Sequence, residues 1–111
     1  MAEIWIGFTT LDDQGKAREL AAQLVEQKLA ACVQLEGPVT SFFRWEGAAQ
    51  QEQEYRLTIK FPREHLVDLE RFLQKHHPYD TPEWMALPAE RIDPAYARWA
   101  RRSCLSEQEN A

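Results

Sequence analysis

One stretch near the middle of the chain constrains the fold more than any other. From Glu54 to Phe61, polar and apolar residues alternate without a break. Because successive side chains of a strand point to opposite faces, this pattern predicts an antiparallel strand with one buried face and one charged face. The apolar positions are Tyr55, Leu57, Ile59 and Phe61, and the polar ones are Glu54, Arg56, Thr58 and Lys60.

Three further strands are predicted from short runs rich in β-branched and aromatic residues or bracketed by prolines. They cover Ile4–Thr10, Ala31–Leu35 and Trp84–Leu87. Glu36-Gly37-Pro38 breaks the second of these, and pairing is expected to resume from Ser41 to Glu46. The polar segment 47–53 is interpreted as a turn.

Two helices are predicted in intervals between these strands, and a third is predicted after the last strand. The first has an i, i+3, i+4, i+7 apolar pattern and begins at Asp12 or Asp13, where a carboxylate favours the helix dipole. Its periodic positions are Ala17, Leu20, Ala21, Leu24, Val25, Lys28 and Leu29. Pro62 opens a second helix that Pro78 ends, and Asp93-Pro94 starts a third by supplying an N-cap and a proline at the first helical position.

The resulting order is strand, helix, strand, strand, helix, strand, helix. Two βαβ units with right-handed crossovers close into a four-stranded antiparallel sheet backed by two helices. The prediction is therefore an α+β fold, a ferredoxin-like sandwich (βαββαβ) with an additional C-terminal helix. Residues 1–105 are expected to form one domain, with 106–111 as a polar tail.

Composition and charge exclude several classes of function. The formal net charge is −5, and no basic stripe of the kind that binds nucleic acid is present. No apolar run is long enough to span a membrane, and the N-terminal residues lack the pattern of a signal peptide. The two cysteines of the chain make no disulfide framework, so a cytoplasmic location is expected. The twelve aromatic residues suggest a subunit interface.

Potential metal ligands gather where the second helix ends. His76 and His77 are adjacent, so their side chains diverge by roughly 100° if both residues are helical. A chelating pair would need the helix to unwind at Pro78; otherwise the two histidines are cations that suit a helix C-terminus. Cys32 is either an inert buried thiol or a soft copper ligand.

No catalytic motif is found, and the chain is predicted not to be an enzyme. There is no GxSxG, P-loop or GxGxxG, and nothing beside Cys32 and His77 would activate such a pair as a nucleophile and base. Strand-borne charges such as Lys60, Glu46, Glu54 and Glu83 are either solvated or line a cleft between subunits. Trp45 and Trp84 are either core or interface residues, with interface favoured for Trp45.

A series of short motifs resembles the CutA family, the divalent-cation tolerance proteins, in order and spacing. They are Leu29-Ala30-Ala31-Cys32-Val33, Val39-Thr40-Ser41, Trp45-Glu46-Gly47, Ile59-Lys60, His77-Pro78-Tyr79, Thr81-Pro82-Glu83 and Ala86-Leu87-Pro88. Asp93-Pro94-Ala95-Tyr96 and Trp99 resemble the closing helix of the family. The match spans nearly the whole chain, and the combination is specific although each motif alone is not.

The resemblance implies a stable homotrimer similar in architecture to PII signalling proteins, with long hairpins packed between subunits. It also implies a role in tolerance of copper and other divalent cations. The implied metal ligands are His76, His77 and Cys32. Phe8 stands where the family has a first-strand cysteine, so Cu(II) or another divalent cation is expected to bind weakly.

Two other functions use the same fold. A PII-like module would bind a small anion or a protein partner in an intersubunit cleft formed by Trp45, Lys60, Tyr79 and Glu83. An acylphosphatase would need an anion-binding loop after the first strand, where Asp12-Asp13 would repel phosphate. The sequence therefore favours a binding protein over a hydrolase.

Overall fold

The computed structural model describes residues 1–105, which form one antiparallel sheet and three helices. The strands are β1 (Ile4–Leu11), β2 (Cys32–Trp45), β3 (Ala48–Pro62) and β4 (Met85–Pro88), and the helices are α1 (Gln14–Glu26), α2 (Leu66–His76) and α3 (Pro94–Cys104). The strand order is β2-β3-β1-β4, which is the ferredoxin-like arrangement. The predicted fold class is confirmed, and the predicted tail 106–111 lies outside the described residues.

The alternating strand places its apolar residues in the core, as predicted. Leu57, Ile59 and Phe61 of β3 are each 0% exposed. They pack with apolar residues of α1 and α2, among them Leu24 and Leu69. The two helices therefore cover one face of the sheet, which we call the helix face.

A glycine in β1 allows an aromatic ring to lie directly on the strand. A Cβ atom added to Gly7 would lie 2.4 Å from Cη2 of Trp84, a distance that no side chain could accommodate without displacing the ring. The indole Nε1 of Trp84 donates a hydrogen bond to Oε2 of Glu70 at 2.8 Å. Trp84 thus packs against the core, and it anchors the chain as it enters β4.

The hairpin of β2 and β3 is longer than predicted. The interpretation of residues 47–53 as a turn was wrong, because Trp45 pairs with Ala48 and the ladder continues from there. Only Glu46 and Gly47 connect the strands, with φ values of 51° and 80°, and positive φ at both positions is what a type I′ turn requires. The predicted interruption is a shift in register between Glu36 and Val39 within one continuous strand, and pairing resumes at Val39 rather than at Ser41.

This hairpin makes the chain elongated. The radius of gyration is 15.0 Å, compared with roughly 13 Å expected for a compact domain of this length. The tip of the hairpin extends past the end of β1, since Leu11 pairs with Tyr55. One side of the hairpin is therefore available to form the wall of a cleft.

The helix boundaries differ in detail from the sequence prediction. α1 ends at Glu26 rather than continuing to Leu29, because Lys28 adopts a φ of 61° and leaves the helix. Pro62 ends β3 instead of opening α2, and a 3₁₀ turn at Arg63–His65 separates the two. The predicted N-caps are confirmed: Asp13 accepts a hydrogen bond from the backbone N–H of Lys16, and Asp93 accepts one from that of Tyr96.

The second face of the sheet carries an uncovered apolar patch. α3 packs against Ile4 through Ala97 and Ala100. The strand alternation places four apolar residues farther along on the same face, and we call them the open face: Ile6, Phe8, Met85 and Leu87. Met85 and Leu87 are 55% and 49% exposed. None of the helices within residues 1–105 is long and apolar enough to cross a membrane.

Candidate functional site

A cleft of about 680 Å³ lies between the projecting hairpin and the segment that follows α2. Three of the four residues predicted to form a cleft between subunits line this cleft within one chain: Trp45 from the end of β2, and Tyr79 and Glu83 from the segment before β4. The hairpin is one wall because its two-residue turn keeps β2 and β3 paired out to the tip. A volume of this size is typical of small-molecule sites.

The cleft is strongly acidic, and we call it the acidic cleft. Its lining includes five carboxylates, from Asp12, Glu52, Glu54, Asp80 and Glu83. None of its lining residues within the described part of the chain is Lys, Arg or His. The aromatic residues of its wall are Phe42, Phe43, Trp45 and Tyr79.

A hydrogen bond joins the two walls of the acidic cleft. The hydroxyl of Tyr79 donates to Oε2 of Glu54 at 2.9 Å, and Glu54 is only 9% exposed. Burial, together with the hydrogen bond to the Glu54 carboxylate, raises the pKa of the Tyr79 phenol well above its ordinary value. The phenol therefore stays protonated and acts as a donor at any physiological pH.

His77 holds the Tyr79 segment against β1. Its Nε2 lies 3.0 Å from the carbonyl oxygen of Thr10 and 3.1 Å from Oγ1 of Thr9, and its Nδ1 accepts the backbone N–H of Tyr79 at 3.1 Å. This arrangement fits a neutral imidazole with its proton on Nε2. Burial lowers the pKa of His77, although the Thr10 carbonyl and the Glu54 carboxylate partly oppose this.

The stability of the fold is expected to depend on His77 as the pH falls. Protonation would place a second donor on Nδ1, facing the N–H of Tyr79. Because the folded pKa of His77 is lowered, its stabilising contribution is present above the unfolded value near 6.5 and is lost as the pH drops through the folded value. Denaturant unfolding at pH 7.5 and pH 5, at one protein concentration, should show a larger loss for wild type than for His77→Asn.

His76→Asn is the matched control for this measurement, because His76 is exposed at the end of α2. It should show the same pH dependence as wild type. Equal pH dependence of wild type and His77→Asn would contradict the role given to His77.

At pH 7.5, His77→Ala should lower the free energy of unfolding by about 1–3 kcal/mol, since it leaves buried partners unsatisfied.

The other two predicted metal ligands lie in different places. His76 stacks on Phe72 with ring centroids 4.2 Å apart and lines a cavity of about 300 Å³ together with Glu19 of α1. Cys32 is half-buried and pairs with Lys60 in the ladder, on the face of the sheet opposite the helix face. Its thiol lies beside the hydroxyl of Tyr96, which contributes with burial to the raised pKa of that phenol.

One chain does not bring the three predicted ligands together. Cys32 is level with Ile6 across the sheet, whereas His77 contacts Thr9 and Thr10. Three to four residues along a strand and two strand spacings separate them by more than about 10 Å. No group of three or more His, Cys, Asp or Glu side chains within residues 1–105 is arranged to hold a metal ion. The ligand set stays a prediction.

Lys60 lies outside the acidic cleft. Its ammonium group contacts Oε1 of Gln34, and it is six residues from Glu54 on β3, about 20 Å along the strand. The predicted role of Lys60 in an intersubunit cleft would thus need a second copy of the chain.

Sequence reasoning missed three carboxylates of the cleft, Asp12, Glu52 and Asp80, and treated Glu54 only as one strand-borne charge among several. A signal for two of them was present, because Glu52 and Glu54 are two residues apart and therefore share a face of a strand. That signal was lost when residues 47–53 were interpreted as a turn. Asp12 and Asp80 carry no local signal, since tertiary structure alone brings them to the hairpin.

The sheet order, the two helices on its helix face and the acidic cleft beside a long hairpin define a small ferredoxin-like α+β protein. The family model described as CutA1 divalent ion tolerance protein matches residues 5–103. The chain belongs to this family.

Individual relatives agree with this assignment. A protein of Yersinia pestis (strain Pestoides F) named divalent-cation tolerance protein CutA is 42% identical over 96 residues, which cover 86% of this chain and 81% of that protein. The structure of CutA from Synechococcus elongatus PCC7942 superposes with a TM-score of 0.90 at 36% identity, covering 95% of this chain and 93% of that one.

A third relative bears a name that specifies a compartment. The structure of the periplasmic divalent cation tolerance protein CutA from Archaeoglobus fulgidus superposes with a TM-score of 0.87 at 29% identity, covering 92% of this chain and 99% of that one. The resemblance seen in the sequence motifs is therefore confirmed at the level of the family and the fold.

Proposed function

We propose that this chain is a cytoplasmic homotrimer that contributes to tolerance of divalent cations, copper among them, by binding these ions weakly. The proposed function consists of binding and involves no catalytic step. The observation that carries it is the acidic cleft, in which five carboxylates face one another without a basic side chain among the described lining residues. Such a concentration of negative charge attracts cations and repels anions.

The trimeric state is supported by the open face. Ile6, Phe8, Met85 and Leu87 form an apolar patch on a sheet that no helix covers there, and soluble proteins rarely leave such patches free.

The cytoplasmic location is supported by the state of the thiols. Cys32 and Cys104 are both free, as is usual in a reducing compartment. Burial raises the pKa of Cys104 to about 11, so this thiol is unreactive at neutral pH.

A calorimetric titration with Cu(II) tests the metal-binding part of the proposal. Wild type should bind at pH 7.5 and more weakly at pH 5.5, because imidazole ligands must be deprotonated. Glu83→Gln, which removes a carboxylate from the acidic cleft, should weaken Cu(II) binding severalfold, and His76→Ala tests the imidazole that the sequence predicts as a ligand.

His65→Ala is the control for this titration, because His65 belongs to no predicted ligand set. Cys32→Ser tests the thiol separately. Equal Cu(II) affinity of wild type, His76→Ala and Cys32→Ser would remove both groups from the site. In that case the carboxylates of the acidic cleft would remain as the Cu(II) ligands. Glu83→Gln should then bind Cu(II) more weakly than wild type.

A second function, a PII-like small-ligand module, is favoured by a separate observation. Trp45, Tyr79 and Glu83, predicted together as a ligand site, line one cleft of about 680 Å³. That volume would accommodate a metabolite and is much larger than a single ion requires.

A further inference from the structure

We propose that the acidic cleft binds a linear organic cation with two or more ammonium groups, a diamine or polyamine. This inference rests on the small-ligand function proposed above and gives its ligand a chemical class. It also reverses the charge expected from the sequence, which suggested a small anion. The argument uses the charge of the cleft, one buried carboxylate, the aromatic wall and the spacing of the acids.

The charge of the cleft selects the sign of the ligand. Asp12, Asp80 and Glu83 are exposed carboxylates from two separate segments, and they face Glu52 and Glu54 of the hairpin. An anion entering this space would meet negative charge from both walls. A cation would relieve the mutual repulsion of the carboxylates, so its binding would be favoured by all of them.

Glu54 is the carboxylate that most clearly lacks a cationic partner. It is nine-tenths buried, yet it forms no ion pair with any residue of the described chain. Its Oε2 accepts the Tyr79 hydroxyl, whereas Oε1 accepts no hydrogen bond from residues 1–105. A buried carboxylate gains most from a cation that hydrogen-bonds to it, and the free oxygen of Glu54 belongs to a side chain that lines the cleft.

The aromatic wall favours an organic cation over a metal ion. Phe42, Phe43 and Trp45 line the cleft beside the carboxylates. Ammonium groups bind to the faces of such rings, and the methylene chain between them gains from apolar contact. A hydrated metal ion would gain nothing from either interaction.

The spacing of the acids favours a linear ligand over a point charge. No three carboxylates within residues 1–105 converge as a metal site requires. Glu52 and Glu54 are two residues apart on β3, which separates them by about 7 Å along the strand. That distance is comparable to the span between two amino groups joined by a chain of four carbons. Successive ammonium groups of one molecule could therefore meet successive carboxylates.

Calorimetric titration of the full chain with spermidine at pH 7.5 tests the proposal. Wild type should bind spermidine, and Glu54→Gln should weaken the affinity by about tenfold or more, the size expected for a charged hydrogen bond. Glu54→Gln keeps an acceptor for the Tyr79 hydroxyl, so the fold should be retained. Glu83→Gln, at an exposed position, provides a second variant that cannot act through unfolding, and it should also bind more weakly.

Glu26→Gln is the matched control, since it removes the same charge from the exposed end of α1, outside the cleft. Its spermidine affinity should equal that of wild type. Absence of spermidine binding, equal affinity of Glu54→Gln, Glu83→Gln and wild type, or full displacement by Mg²⁺ at equal concentration would each overturn the proposal. Full displacement by Mg²⁺ would mean that spermidine is held only by diffuse attraction to a negatively charged surface.

The same proteins titrated with Cu(II) separate this inference from the metal-tolerance proposal. Absence of spermidine binding by wild type, with its Cu(II) binding intact, would overturn only the polyamine inference. Absence of Cu(II) binding by wild type, with its spermidine binding intact, would overturn only the metal proposal and would support the inference. His76→Ala should leave spermidine affinity unchanged, because His76 lies outside the cleft.

Discussion

A Phe8→Glu variant is expected to be monomeric, whereas wild type is expected to be a trimer. Phe8 is at the centre of the open face, where it pairs with Met85 of β4 and with Thr58 of β3. A carboxylate there would be buried without a partner in any assembly that covers this face, which costs several kcal/mol per site. Each subunit of a symmetric trimer carries the substitution, so the cost is multiplied by the number of subunits. We therefore expect the variant to be fully monomeric.

Sedimentation equilibrium, or light scattering after size exclusion, measures this effect directly. Val25→Glu is the control: Val25 is 44% exposed on α1, on the opposite side of the sheet, and the variant should remain trimeric. A Phe8→Glu protein that stays a trimer would show that subunits associate through another surface. A wild-type monomer would contradict the trimer itself.

Phe61→Ala is expected to lower the free energy of unfolding by about 3–5 kcal/mol. Phe61 is 0% exposed on the helix face of β3, and its ring lies beside that of Trp84, with centroids 6.4 Å apart. Truncation would leave a cavity at the centre of the core and remove the support of the ring that lies on Gly7. A loss of this size is a large share of the stability of a typical domain.

Urea unfolding followed by circular dichroism, at one protein concentration for all variants, provides the measurement. Val67→Ala is the control, since Val67 is 56% exposed on α2 and its loss should cost less than about 0.5 kcal/mol, as at other surface positions. A similar, small change for both variants would mean that the core tolerates the cavity by collapsing around it.

The fold could be predicted because its signals are local and repeated. The alternation in β3, the periodic helices and the N-caps at Asp13 and Asp93 each follow from spacing within a few residues. Prediction of the hairpin length failed because Gln50, Gln51 and Gln53 have no strand preference of their own. Cross-strand pairing with β2 holds them extended, and propensity cannot foresee that pairing.

The candidate site was predictable only in part, for a related reason. Trp45, Tyr79 and Glu83 stood out as functional residue types, and the structure places all three in the acidic cleft. Adjacent histidines, by contrast, look alike in a sequence. Contact with Thr9 and Thr10 buries His77, while His76 remains exposed, and that contact joins residues more than sixty positions apart.

The two-residue turn at Glu46 and Gly47 has a consequence for the order in which the cleft is assembled. The aromatic wall and the paired acids of β3 belong to one local hairpin, which can form early and independently of the rest of the chain. The opposite wall of the cleft is in place only when the Tyr79 hydroxyl donates its hydrogen bond to the Glu54 carboxylate, 25 positions away in the sequence. A ligand of the cleft would therefore recognise the completed fold and not the hairpin, and its binding would report that the two walls of the cleft have met.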